Sequence, residues 1–200
     1  MYIHNLGHAT VAYIGYLYNP EFKYIHEALS IMEIYKFVSG TMLESANILI
    51  TKYPDEFSAE MLIDHINELL YRFQNKALGD TVYRVGCDLS RKLGPEERLA
   101  GSISLATELK QPYRRILFTI VCACRFRAPD EEGNIFSGDL RFDNILPMGI
   151  NYILKNIYGF DINKDIDVFL KAEEMYKSIQ IDGFKIPNMT NSNCNINILW

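Results

Sequence analysis

Apolar residues recur at helical spacing in one segment of this chain after another, and no succession of segments alternates apolar with polar as half-buried strands do. The stretch after Ser58 is the clearest. Leu62, Ile66, Leu69, Leu70 and Phe73 fall on one helical face, and Ser58 is suited to cap the first turn. Residues 5–18 read as a short buried helix stopped near Asn19-Pro20, and residues 25–53 as one helix or two, closed by Pro54. Pro95-Glu96-Glu97 reads as a helical first turn, with proline at the start and carboxylates near the positive end of the dipole. Pro112 is expected to start another helix, running to Phe126. Residues 128–133 have the composition of a surface loop, after which helices resume over residues 144–158 and 164–180. Residues 188–200 are rich in Asn and aperiodic, as a flexible tail would be. The whole pattern predicts an all-α, single helical-bundle-like domain over residues 1–187.

At 200 residues and 48% hydrophobic content the chain can bury a sizeable core, in one domain or at most two small ones. Its 13 Tyr and 11 Phe are too many for a disordered chain. A net charge of -5 argues against nucleic acid as a partner. No apolar run spans a bilayer and no signal-peptide pattern precedes the first helix, so no membrane partner is expected, and four cysteines in a chain too large to need disulfide staples point to a reducing, cytoplasmic setting. Cys87, Cys122, Cys124 and Cys194 fit no zinc spacing. Cys122 and Cys124 stand two apart in an apolar helical stretch and read as buried thiols pointing to nearly opposite sides.

Chemistry is concentrated in two places. Asn5 and His8 are three apart and share a helical face, where an amide donor and an imidazole together suit a carbonyl or alkoxide oxygen. Taken alone, such an Asn is more often a helix cap than a catalyst, and such a His is usually structural. His4 and His8 have the spacing of a two-histidine metal pair, but Asn5 stands where a metalloprotease helix has glutamate, and no third ligand is evident in the sequence. The second place is residues 80–95, where Arg91 and Lys92 precede Pro95 and suit a phosphate or a polyhydroxylated ligand; a solvated basic turn balanced by Glu96 and Glu97 is the plainer reading. Arg125 and Arg127 sit at a helix C-terminus, where the dipole favours them. His26 and His65 read as structural. No Gly-x-Gly-x-x-Gly fingerprint occurs.

The stretch from Tyr2 through His4-Asn5-Leu6-Gly7-His8 to Gly15 resembles the opening of the C-terminal domain of the mannitol dehydrogenase family. Arg72-Phe73-Gln74-Asn75-Lys76-Ala77-Leu78-Gly79-Asp80-Thr81-Val82 with Arg84-Val85-Gly86 resembles its middle. Arg91-Lys92-Leu93-Gly94-Pro95 with Arg98-Leu99 is similar to the branch containing mannitol-1-phosphate 5-dehydrogenase. The resemblance runs in order to about Gln180 and implies the helical domain found in 6-phosphogluconate-dehydrogenase-like enzymes.

It further implies that an N-terminal Rossmann domain, absent from this chain, binds NAD(H) or NADP(H), so that residues 1–200 hold no cofactor-binding residues of their own, and that no metal is needed. The family signature is a lysine, an asparagine five residues on and a histidine three further. Asn5 and His8 match the last two, and the lysine would fall immediately before Met1. The resemblance casts Asn5 and His8 as catalytic residues, Asn5 at the developing alkoxide and His8 on a neighbouring oxygen, with Lys92 contacting the polyol and Arg91 assisting with a phosphate. The expected partners are a polyol or polyol-phosphate substrate, a Rossmann domain in cis or in trans, and a further copy of the chain through the face that domain would otherwise cover. The polypeptide alone is expected to be catalytically incompetent. A non-catalytic helical module of the same shape is the alternative, and a hydrolase built on His4 and His8 the third possibility.

Overall fold

The computed structural model describes residues 2–189, and among them it contains helices and turns with a single isolated antiparallel bridge, Tyr24 to Thr81. The helices are α1 (Tyr2–Tyr18), α2 (Ile25–Leu29), α3 (Met32–Lys52), α4 (Ala59–Phe73), α5 (Val82–Gly86), α6 (Leu89–Lys92), α7 (Arg98–Glu108), α8 (Arg114–Ala123), α9 (Arg141–Ile145), α10 (Ile150–Asn156) and α11 (Ile166–Asp182). The all-α architecture expected from the periodicity is what is found. The expected tail falls, apart from Asn188 and Met189, outside the described residues, as does Cys194.

Helix α1 runs through the middle of the core. Leu6, Val11, Ala12, Tyr13 and Ile14 are all fully buried, and its principal neighbours are α3 and α5. Such a helix needs small residues where others cross it. A Cβ on Gly7 would lie 2.7 Å from Met42 Sδ, so glycine there lets α3 lie directly against α1. Burial of Leu6 and Gly7 toward α3 leaves Asn5 and His8, both half-buried, on a different side of the same turn.

Helix α4 forms where its periodicity and cap place it. Ser58 Oγ accepts from the Met61 amide at 3.2 Å, and the five expected apolar residues are its buried face. Residues 25–53 hold two helices, α2 and α3, separated at Ser30 and Ile31. At the start of α8 the buried Glu44 carboxylate, carried in from α3, accepts from the amides of Arg115 and Ile116 and from the Arg115 guanidinium. Cys122 and Cys124 are fully buried thiols.

Several helix boundaries differ from the sequence expectation, the largest of them for local reasons. Pro95 does not open a helix: the Glu97 amide donates to the Gly94 carbonyl at 3.1 Å, which puts Pro95 at the second position of a tight turn, and α7 starts at Arg98. Pro112 follows the end of α7 rather than starting α8. The amides of Lys110 and Gln111 return to the carbonyls of Thr107 and Ala106, Lys110 takes a φ of 55°, and this left-handed termination with proline beyond it stops the helix. α8 itself ends at Ala123, with Cys124 as its cap. The segment at 144–158 is broken at Pro147 and Gly149 into a 3-10 turn and α10.

Candidate active site

Two short helices face the exposed side of α1's first turns, and tertiary contacts rather than propensity hold them. Thr81 caps α5 by accepting from the Arg84 amide at 3.1 Å. The Tyr13 hydroxyl donates to the Gly86 carbonyl at 3.2 Å, tying the last residue of α5 to α1. A Cβ on Gly86 would lie 2.2 Å from Phe126 Cζ, so α5 lies flat on that ring only because residue 86 is glycine. Helix α6 begins after Asp88, which is left-handed at φ 67°. Its free amides at Asp88 and Leu89 donate to the two oxygens of Asp139, at 3.0 and 2.7 Å.

Between α1, α5, α6 and the start of α7 lies an open cleft of about 220 Å³, lined by Asn5, His8, Arg84, Arg91, Lys92 and Arg98 together with Ala9 and Val85. Asn5 Oδ1 accepts from His4 Nδ1 at 2.9 Å, which leaves the amide NH₂ as the donor end of the Asn5 side chain. The His8 ring is stacked on Phe73, with centroids 4.8 Å apart, and its Nε2 is 3.1 Å from Asp80 Oδ2. Burial, with the charges of His4, Arg84 and Lys92 adding to it, pushes His8 down to about 4, so the ring is neutral at pH 7. A carboxylate only accepts, so the neutral ring carries its proton on Nε2 and keeps a lone pair on Nδ1.

The four cations are held differently. Arg84 is exposed and pairs with Asp80, Arg91 Nε donates to Asp88 at 2.7 Å, and Arg98 pairs with Glu97 at 3.0 Å. Lys92 is 9% exposed, and its ammonium donates to the Val85 carbonyl at 2.7 Å, a neutral partner that leaves the full charge directed at the site. Burial lowers the Lys92 pKa from its ordinary value.

All four residues singled out in the sequence, Asn5, His8, Arg91 and Lys92, line this one cleft. Arg84 and Arg98 line it too, and no role was assigned to them from sequence. The signal available was the helical spacing of Asp80 and Arg84, an (i, i+4) pair of opposite charge. His4 lies next to His8, ring centroids 5.5 Å apart, but its Nδ1 is used on Asn5 and His8 Nε2 on Asp80. Among the described residues no group of three or more His, Cys, Asp or Glu side chains is arranged to hold a metal ion. His26 stacks on Tyr24 away from the cleft, and His65 is exposed on α4.

An all-helical domain thus brings an amide, a neutral imidazole and several cations around one cleft. Residues 1–183 match the mannitol dehydrogenase C-terminal domain, and the chain belongs to that family. It is 37% identical over 132 residues to mannitol-1-phosphate 5-dehydrogenase of Clostridium acetobutylicum, covering 66% of this chain and 33% of that protein. To the enzyme of the same name from Shouchella clausii it is 39% identical over 137 residues, 68% of this chain and 35% of the other. The chain thus spans about a third of the length of the curated relatives it matches. In fold it is similar to Pseudomonas fluorescens mannitol 2-dehydrogenase in a ternary complex with NAD and D-mannitol, with a TM-score of 0.67 at 19% identity over 90% of this chain and 37% of that one. It is also similar to a substrate-free D-sorbitol dehydrogenase, with a TM-score of 0.57 at 18% identity over 91% of this chain and 39% of the other.

Proposed function

We propose that this chain is the substrate-binding half of an NAD(P)-dependent hexitol phosphate dehydrogenase, interconverting mannitol 1-phosphate and fructose 6-phosphate. The observation that carries the reading is the convergence of Asn5, His8 and four cationic side chains on one cleft. Similarity to mannitol-1-phosphate 5-dehydrogenases supports the phosphorylated substrate over free mannitol.

Interconverting an alcohol and a ketone moves a proton from oxygen and a hydride from carbon, and the residues of this chain serve the oxygens. The Asn5 NH₂ donates to the reacting oxygen as negative charge develops on it, a role suited to a preorganised amide dipole. His8, neutral with its Nδ1 lone pair available, accepts from a neighbouring substrate hydroxyl and so fixes the sugar chain's rotation about the reacting carbon. Lys92 donates to the polyol oxygens, and Arg91 and Arg84 use their remaining guanidinium N–H groups on phosphate oxygens. The proton goes to a lysine with a depressed pKa supplied from outside residues 1–200. Among the described residues there is no sheet and no glycine-rich turn to cradle a dinucleotide. In this reading the nicotinamide cofactor, which takes up hydride when bound, is held mainly by a domain provided by other polypeptide, in cis or in trans.

Calorimetric titration of the 200-residue chain with mannitol 1-phosphate, fructose 6-phosphate and mannitol tests this. Both phosphates are expected to bind at least about tenfold more tightly than mannitol, with the advantage shrinking as salt is raised. Equal affinity for mannitol and its phosphate would refute the phosphate assignment. The chain alone is expected to bind without oxidising mannitol 1-phosphate in the presence of NAD, and turnover by the pure chain would refute the division of labour.

A further inference from the structure

Asp80 is not among the residues lining the cleft, yet its carboxylate engages two of the side chains that are. Oδ2 is 3.1 Å from His8 Nε2, and Oδ1 pairs with the Arg84 guanidinium. The side chain is only 13% exposed, and the backbone around it is fixed from both directions. The Asp80 carbonyl accepts from the Ile25 amide at 3.0 Å, and the Val82 amide donates to the Lys23 carbonyl at 2.9 Å, so residues 80–82 are fastened to the segment ahead of α2. Thr81, between them, bridges to Tyr24 and caps α5. Of the two groups it engages, His8 is itself confined, between Phe73 and α1, whereas Arg84 is largely exposed and takes its direction from the carboxylate.

The geometry points to Asp80 as the positioning residue of this cleft: its one carboxylate selects the Nε2–H tautomer of His8 and aims the Arg84 guanidinium, coupling the hydroxyl-reading and phosphate-reading sides of the site. The selection follows from donor and acceptor chemistry. An ionised carboxylate offers lone pairs only, so whichever imidazole nitrogen faces it must carry the hydrogen, and the other becomes an acceptor. Without Asp80 the neutral imidazole is free to place its proton on Nδ1, which would present a second donor where the substrate hydroxyl is itself a donor. Arg84 would at the same time lose the contact that holds its fork in one orientation. The consequence for substrate binding rests on the reading of the cleft as a polyol-phosphate site, whereas tautomer selection does not.

Long-range ¹H–¹⁵N correlation spectra of the ¹⁵N-labelled 200-residue chain at pH 7 report the His8 tautomer directly, and titration with mannitol 1-phosphate in the same samples reports affinity. The wild-type ring is expected as Nε2–H. Asp80→Asn is expected to convert it to a mixture containing Nδ1–H and to weaken mannitol 1-phosphate binding about tenfold. Asp80→Glu, which keeps the acceptor, is expected to retain Nε2–H and recover part of the affinity. A wild-type His8 found as Nδ1–H overturns the proposal without recourse to any variant, and so does a folded Asp80→Asn chain with an unchanged tautomer. Wild-type chain that shows Nε2–H, loses it in Asp80→Asn and binds no mannitol 1-phosphate would support tautomer selection while overturning the substrate assignment.

Discussion

Replacing Gly86 by alanine should loosen the site from behind. The new Cβ would stand 2.2 Å from Phe126 Cζ, and 2.6 and 2.7 Å from its Cε atoms. Carbon atoms in contact prefer about 3.6 Å, so the helix or the ring must move by roughly 1.4 Å. The ring has nowhere to go: Phe126 is 1% exposed and packs edge-on to both Tyr13 and Tyr16, with centroids 5.3 and 5.2 Å away. Helix α5 is the softer partner, and it carries Arg84 together with the Val85 carbonyl that holds Lys92. Overpacking of this kind costs about 1–3 kcal/mol, and a displacement near 1 Å at a catalytic group is worth up to about 100-fold in rate or a comparable loss of binding. Urea melts followed by circular dichroism should show Gly86→Ala less stable by about 2 kcal/mol with an unchanged slope. Calorimetry should show mannitol 1-phosphate affinity falling with it. The decisive comparison is with Phe126→Ala, which on its own costs about 3–5 kcal/mol. In the double variant the alanine Cβ enters the vacated space, so the combined loss should be at least about 1 kcal/mol smaller than the sum. Strict additivity, or a Gly86→Ala chain as stable as wild type, would refute the packing argument.

Lys92→Met should weaken mannitol 1-phosphate by about tenfold or more at low salt, and Lys92→Arg should not restore it, because the ammonium occupies a tight position 2.7 Å from the Val85 carbonyl; full recovery by arginine in a titration would count against that geometry. Glu44→Ala leaves two buried amides and the Arg115 guanidinium without their acceptor and should cost about 3–5 kcal/mol in denaturant melts. Burial raises the Glu44 pKa from its ordinary 4.5 to about 7, so the folded chain holds this proton more tightly than the unfolded one. The associated stability is fully present below pH 4.5 and is lost as pH rises through about 7, and Glu44→Gln should remove that component from melts run between pH 4.5 and 8; an unaltered pH slope would contradict it. Ile166 and Leu170, one turn apart and both exposed on α11, together with Ile181 at 80% exposure, should favour self-association, so sedimentation of a strict monomer at high concentration would speak against that.

What the sequence discloses here tracks how local the determining forces are. Helix α4 is legible because its cap, its period and its apolar face are all contained within sixteen consecutive residues, Ser58 to Phe73. Asn5 and His8 are legible as a pair because three-residue spacing on any helix sets a common face. Helices α5 and α6 are five and four residues long, too short to display a period, and they exist because Tyr13, Phe126 and Asp139 meet them from distant parts of the chain. Arg84 could not be assigned to the site for the same reason, since nothing local says which way so short an element turns, and Arg98 opens α7 behind the Gly94–Glu97 turn, whose course the sequence does not disclose. The misplaced boundaries at Pro95 and Pro112 share one cause: the fixed φ of proline suits a turn or the stretch after a helix as well as it suits a helical first turn.

Asp139 reaches the cleft only through the backbone amides of Asp88 and Leu89, fifty residues earlier in the chain. The irregular stretch between α8 and α9 therefore acts as a remote adjuster. Lengthening or shortening it would shift the short basic helix, and with it Arg91 and Lys92, without changing the identity of any residue that lines the cleft. Descendants of such a scaffold could retune their preference among sugar ligands by insertion and deletion in an outlying loop, and an engineer could do likewise.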